Sequence, residues 1–172
     1  KKVGNWLESQ SKITIFVWFY AYALRCVRRH FFENILTKHY KEMVILVLNC
    51  GSSSIKYQVL DVMETSHTLL AKGLVERIGL AEGDLTHKPQ GKDKFELHCP
   101  IPDHTTGIRL VLDALTNPEH GVISSLEELK AAGHRVAHGG EFFEDSCLVD
   151  DEVKAKIESL YSIAPLHNPA NL

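Results

Sequence analysis

The chain has 172 residues, of which 44% are apolar and 24% are charged, and its formal net charge is −3. This composition excludes a disordered or fibrous protein and fits one globular domain of ordinary size. The net charge gives no signature of nucleic-acid binding, so we expect no nucleic-acid partner. The four cysteines are isolated from one another, which predicts a reducing, cytoplasmic location rather than a disulfide framework or a zinc site.

The first 42 residues differ from the rest in composition. They hold eight Lys and Arg against three Asp and Glu, and nine of the fourteen aromatic residues. The uncharged run at 13–24 is too short for a membrane-spanning helix, which needs about 20 residues. A signal peptide or an interfacial helix is an alternative interpretation. Because Met43 directly precedes a strand pattern, we expect translation to start there, residues 1–42 to be a basic and aromatic extension outside the fold, and no membrane partner.

A β-hairpin is predicted directly after Met43. Residues 44–48 form an apolar run that is typical of a buried strand. Asn49, Gly51 and three consecutive serines then interrupt the run with strong turn formers. Residues 55–60 alternate between apolar and polar side chains, which predicts a second strand with one wetter face.

The turn of this hairpin contains many small hydrogen-bond donors. Gly51 lets backbone amides approach a ligand closely, and the serine hydroxyls with Lys56 can surround phosphate oxygens. It is not a Walker loop, because Ile55 stands where that motif requires its second glycine. From the turn alone, an ordinary serine-rich connection between strands is the simpler interpretation.

The middle of the chain predicts elements that build a core. Short alternating stretches over 68–98 predict further strands of the same sheet. Helices are expected near 105–116 and 151–161, where apolar residues recur at helical spacing. Asp103 or Thr105 is expected to cap the first helix, and Asp150 or Asp151 the second.

Residues 134–141 (HRVAHGGE) form a second polar cluster. The apolar pair at 136–137 predicts a strand and the following glycines its tight exit. Arg135 is the best candidate for a ligand contact, because a guanidinium binds carboxylate or phosphate through two parallel hydrogen bonds. An internal ion pair is the alternative for Arg135, and structural roles are expected for His134 and His138. His167 lies near the end of the chain in a loop that two prolines hold, which predicts irregular structure there.

Four stretches together resemble one family. They are NCGSSSIKYQ (49–58), GLVERIG (73–79), GHRVAHGGE (133–141) and APLHNPANL (164–172). In order and spacing they are similar to the opening third of acetate kinases, over nearly all of 43–172 and none of 1–42. The resemblance implies an α/β fold, the N-terminal domain of a ribonuclease-H-like (actin-like ATPase) fold, with a mixed β-sheet, flanking helices and an incomplete domain.

The resemblance also implies roles for individual residues. Arg135 would bind the acetate carboxylate or the phosphoryl group in transit, and Arg135 and His167 would be catalytic. The resemblance implies that the ATP phosphates are bound by Ser52, Ser54 and Lys56. It also implies that Asn49 helps to position Mg²⁺.

The activity implied is a reversible, in-line transfer of a phosphoryl group from ATP to acetate, which makes acetyl phosphate. The implied partners are acetate, ATP, Mg²⁺ as cofactor and a second copy in a cytoplasmic homodimer. We expect the 172-residue chain to be a truncated part that is inactive alone. A propionate or butyrate kinase and a non-catalytic nucleotide-binding module of the same superfamily are alternatives. All these expectations require the serine-rich turn and Arg135 to face a common cavity.

Overall fold

The computed structural model describes residues 14–18, 42–63, 66–143, 147–165 and 168–171. Its eight strands, in chain order, are β1 (Thr14–Trp18), β2 (Glu42–Cys50), β3 (Ile55–Met63), β4 (His67–Glu76), β5 (Gly83–Pro89), β6 (Phe95–Cys99), β7 (Leu129–Arg135) and β8 (Cys147–Leu148). They form one sheet in the order β6-β5-β4-β3-β2-β7-β1-β8. β7 runs parallel to both β2 and β1, whereas the other neighbours are antiparallel, so the predicted mixed sheet is confirmed.

The described helices are α1 (His104–Leu115), α2 (Asp151–Ser159) and the single turn α3 (Asn168–Asn171). The carboxylate of Asp103 accepts a hydrogen bond from the backbone N–H of Thr106, and that of Asp150 accepts one from Val153. These contacts satisfy backbone donors that a helix N-terminus leaves unpaired. The two predicted helices are therefore confirmed, with Asp103 and Asp150 as their caps.

Two local predictions near the C-terminus were wrong. The strand of the HRVAHGGE stretch ends at Arg135 instead of containing residues 136–137. Val136 is instead buried in a small cluster with Ile157 of α2, because its apolar side chain packs against the helix. The last residues are not wholly irregular, since α3 forms one helical turn there, and Pro169 is tolerated because it lies in the first turn.

Part of the N-terminal extension lies in the sheet. Of residues 1–42, the structure describes 14–18 and Glu42, and Thr14–Trp18 forms β1 between β7 and β8. The domain boundary at Met43 stays a prediction. Among the helices of the described ranges, none is long and apolar enough to cross a membrane.

The main core lies between α1 and one face of the sheet. Ile55, Val59, Val75 and Leu85 from the central antiparallel strands are buried, and α1 contributes residues such as Val111 and Leu115 to the same cluster. One polar chain crosses this core. The Tyr57 hydroxyl lies 2.6 Å from Nδ1 of His87, and Nε2 of His87 donates to the His120 carbonyl oxygen at 3.1 Å.

The tight packing of Tyr57 makes Gly73 sensitive to substitution. A Cβ at position 73 would overlap the Tyr57 ring, which its hydrogen bond to His87 and its burial hold in place. We therefore expect Gly73→Ala to lower the free energy of unfolding by about 1–3 kcal/mol, as overpacked cores do. Urea denaturation measures this change. Lys72→Ala, at the neighbouring exposed position, is the control and should change stability by less than about 0.5 kcal/mol.

Candidate functional site

The serine turn, defined as residues 51–54, joins β2 to β3 and is held by three hydrogen bonds. The Gly51 N–H donates to the Ser54 carbonyl oxygen at 2.8 Å, and the Ile78 N–H donates to that of Ser53 at 3.1 Å. Nε2 of His104, at the start of α1, donates to the Gly51 carbonyl oxygen at 2.7 Å. Three carbonyl oxygens of the turn are thus occupied by donors of the protein itself.

This arrangement suits the turn to bind an anion. Carbonyl oxygens repel phosphate and carboxylate groups, but here those of Gly51, Ser53 and Ser54 already accept hydrogen bonds. Ser52 is exposed and Ser54 is partly exposed at the hairpin tip. Successive backbone N–H groups and hydroxyls in a tight turn form the concave donor surfaces that bind phosphate in many proteins.

Asn49 and Lys56 flank the serine turn and lie directly opposite each other on β2 and β3. Both line a cleft of about 500 Å³ on the sheet face opposite α1. The cleft contains three lysines and no carboxylate, so its charge favours anions. Its lining residues are Val47, Asn49, Lys56, Tyr57, Gln58, Lys72, Gly73, Leu74, Thr86 and Lys88.

Lys72 and Lys88 were missed in the sequence, although they dominate the charge of this cleft with Lys56. They are direct cross-strand partners on β4 and β5, and Lys72 is also opposite Gln58 on β3. Like charges directly opposite each other destabilise a sheet, which an anion between them would relieve. The alternation of polar and apolar residues around Lys72 and Lys88 predicts that both are exposed on their strands. Only the pairing register of β4 with β5 shows that the two lysines are neighbours.

Arg135 ends β7 at the same edge of the sheet where β2 reaches the serine turn. β2 and β7 are parallel and their register runs to Leu48 opposite His134, so Asn49 and Arg135 follow at adjacent strand ends. Because side chains alternate between faces, Arg135 is on the same face as Asn49. Arg135 is exposed and forms no ion pair with any residue that the structure describes. The internal ion pair considered for this residue is therefore absent from the described ranges.

His134 and His138 have structural surroundings. Nε2 of His134 lies 3.3 Å from Sγ of Cys50, and its Nδ1 is buried without a hydrogen-bond partner among the described residues. Burial lowers the pKa of His134 to about 4 and raises the pKa of the Cys50 thiol to about 11, so both side chains are uncharged near neutral pH. Nδ1 of His138 accepts a hydrogen bond from the Gly140 N–H at 2.9 Å, which stabilises the turn at Gly139 and Gly140.

Asn168 connects the C-terminal segment to the end of β7. It is fully buried, its Oδ1 accepts from the His138 N–H at 3.2 Å, and its Nδ2 donates to the His138 carbonyl oxygen at 3.1 Å. These paired bonds fix α3 against the backbone that follows Arg135. The predicted catalytic His167 lies outside the described residues.

A metal ion would find few ligands in this part of the protein. The described residues contain no group of three or more His, Cys, Asp or Glu side chains that could hold one. Mg²⁺ keeps several waters and often takes one or two protein oxygens together with substrate phosphates. Among the residues that line the cleft, Asn49 offers one side-chain oxygen of this kind.

Comparisons with known proteins identify the family of this chain. The mixed sheet and its helices form an α/β domain, and the acetate kinases that it matches have the actin-like ATPase fold. The model of the acetokinase family matches residues 44–172, and the chain belongs to that family. An acetate kinase of Desulfitobacterium hafniense is 58% identical over 130 residues, which are 76% of this chain and 32% of the relative. An acetate kinase of Thermoanaerobacter pseudethanolicus is 52% identical over the same coverage.

Solved structures show the same likeness. The acetate kinase of Porphyromonas gingivalis has a TM-score of 0.71 and 43% identity, covering 75% of this chain and 32% of its own. A propionate kinase of Francisella tularensis has a TM-score of 0.64 and 33% identity, covering 75% and 31%. The chain thus spans about a third of the length of the relatives that it matches.

Proposed function

We propose that the protein to which this chain belongs is an acetate kinase, a phosphotransferase that moves the γ-phosphoryl group of ATP to acetate. An acetate oxygen attacks the γ-phosphorus in line, and the bond between that phosphorus and the oxygen that bridges it to the β-phosphate of ATP breaks. The products are acetyl phosphate and ADP. The reverse reaction uses the same groups. The observation that carries the proposal is the serine turn, whose three carbonyl oxygens are bound by donors of the protein, at a strand end adjacent to that of Arg135. Family membership supports it.

The serine turn and Lys56 form the phosphate side of this proposed site. Ser52 and Ser54 offer hydroxyls at a tip whose neighbouring carbonyl oxygens are already bound. Lys56 adds a mobile positive charge at the first exposed position of β3. Mg²⁺, held in part by Asn49, would supply charge neutralisation of the phosphates.

Arg135 forms the acceptor side. Acetate and a triphosphate repel each other, so their approach needs positive charge and alignment more than covalent chemistry by the protein. An exposed guanidinium with no ion-pair partner in the described ranges is available for a carboxylate or for the phosphoryl group in transit. His167 is proposed as the second catalytic residue on the resemblance alone, and a cytoplasmic homodimer stays a prediction on the same ground.

A propionate kinase is the second candidate, since one such enzyme shares 33% identity with this chain. The two acids differ by one methylene, which a pocket distinguishes by about 1–3 kcal/mol, or roughly 10–200-fold. Comparing kcat/KM for acetate and propionate in one preparation decides between them. A non-catalytic nucleotide-binding module would explain the turn, but it would give the exposed guanidinium of Arg135 no ligand to bind.

A hydroxamate assay tests the proposal directly, because hydroxylamine traps acyl phosphates. We expect a protein of the relatives' full length that contains this chain to form acetyl hydroxamate from acetate and ATP, and the 172-residue chain alone to give no turnover above blank. Failure of the longer protein with acetate, propionate and butyrate would contradict the kinase assignment. Turnover by the 172-residue chain would show that its residues suffice, against our expectation.

A further inference from the structure

His104 contacts the serine turn from a distant part of the sequence. It is the first residue of α1, and 53 positions separate it from Gly51, whose carbonyl oxygen accepts its Nε2–H at 2.7 Å. Neither the strand pattern nor the serine-rich turn requires a histidine at this place. The contact is therefore a tertiary feature added to the hairpin.

We propose that His104 is a positioning residue of the phosphate site, which holds the Gly51 carbonyl oxygen inward so that an incoming oligophosphate meets donors. The inference rests on the proposed function of the serine turn and adds the residue that sets its orientation. A carbonyl oxygen released from its donor can turn toward the anion, where its partial negative charge opposes binding.

The start of α1 is a rigid base for this contact. Asp103 caps the helix through the Thr106 N–H at 2.7 Å. A Cβ at Gly107 would come within 2.8 Å of Cδ1 of Ile55, so α1 lies closely against the first residue of β3. Since Ile55 directly follows the turn, the imidazole is fixed relative to the backbone that it orients.

No other donor described in the structure replaces this bond. The Gly51 N–H already donates to Ser54, and the Ile78 N–H already donates to Ser53. Loss of the imidazole would therefore leave the Gly51 carbonyl oxygen as the one free acceptor among the three that are now bound. The Gly51 carbonyl oxygen would lose its fixed orientation, while every residue proposed to contact the anion would remain in place.

Binding of inorganic pyrophosphate to the 172-residue chain tests the proposal, followed by amide NMR shifts of residues 52–54. We expect His104→Leu to weaken binding about five- to tenfold, the usual effect of one hydrogen bond. His104→Gln keeps an N–H donor of similar reach and should restore binding to within about twofold. His67→Leu, at an exposed histidine of β4, is the matched control and should bind as wild type does.

Amide hydrogen exchange of Gly51 gives a second readout that needs no ligand. Its N–H closes the turn, so exchange should become faster in His104→Leu and stay slow in His104→Gln, while the unfolding transition remains cooperative in both. Equal pyrophosphate affinity and equal exchange in wild type and His104→Leu would overturn the inference and leave the kinase proposal intact. Faster exchange without any pyrophosphate binding by wild type would support the anchoring of the turn but refute its phosphate role.

Discussion

Replacing Arg135 with alanine in a protein of the relatives' full length that contains this chain is expected to lower the rate of acyl-phosphate formation by about 10²–10³, the usual effect of removing a preorganised charged donor. Arg135 ends β7, and the neighbouring strand β2 leads into the serine turn, so the proposed role of its guanidinium is to draw two mutually repelling anions together. Its positive charge stabilises the transition state most, because the phosphoryl group then lies between ADP and acetate. The loss should therefore appear mainly in kcat/KM for acetate.

Two further variants separate charge from geometry at this position. Arg135→Lys keeps the charge but not the planar pair of donors, so we expect an intermediate rate. Arg109→Ala removes an exposed arginine from α1 and should leave the rate unchanged. Because Arg135 is exposed and unpaired in the described part of the chain, none of these changes should lower the unfolding temperature by more than a few degrees. A near-normal rate for Arg135→Ala would contradict the proposed role of Arg135 in binding the acceptor or the phosphoryl group.

The elements that follow from local sequence were predictable. The apolar run before Asn49 and the alternation after Ser54 determine a hairpin, whose strands are β2 and β3. The two capped helices were predictable for the same reason, because Asp103 and Asp150 satisfy donors only a few residues away. The proposed role of Asn49 came from the family resemblance, whereas that of Arg135 was first suggested by its guanidinium and then made specific by the resemblance.

The features that the sequence did not reveal depend on register and on long-range packing. Lys72 and Lys88 become neighbours only through the pairing of β4 with β5. His104 reaches Gly51 only because α1 packs on the face of the sheet that contains the buried side chains of β3. Asn168 lies in the stretch that was predicted to be irregular, whereas its buried amide joins α3 to the backbone of His138. In each case the residue type was visible and its partner was not.

The second large effect that we expect is a loss of stability in acid caused by His134. Burial is the main cause that lowers its folded-state pKa to about 4 from an ordinary value of 6.5. Nδ1 is buried without a hydrogen-bond partner among the described residues, and the backbone of Arg135 offsets only part of the cost of burying a charged ring. Above about pH 6.5 the ring is neutral whether the chain is folded or not, so the full stability is present there.

As the pH falls from about 6.5 toward 4, the unfolded chain takes up a proton that the folded chain refuses, and the free energy of unfolding decreases. The expected loss from this residue is about 2 kcal/mol between roughly pH 7 and 4.5, and burial lowers the pKa of His87 in the same direction. Urea denaturation across this range measures it. His134→Leu should flatten the dependence, whereas His67→Gln, at an exposed ring of β4, should not. If wild type and His134→Leu lose stability equally over this range, the acid sensitivity arises elsewhere, and the buried imidazole beside Cys50 is not its cause.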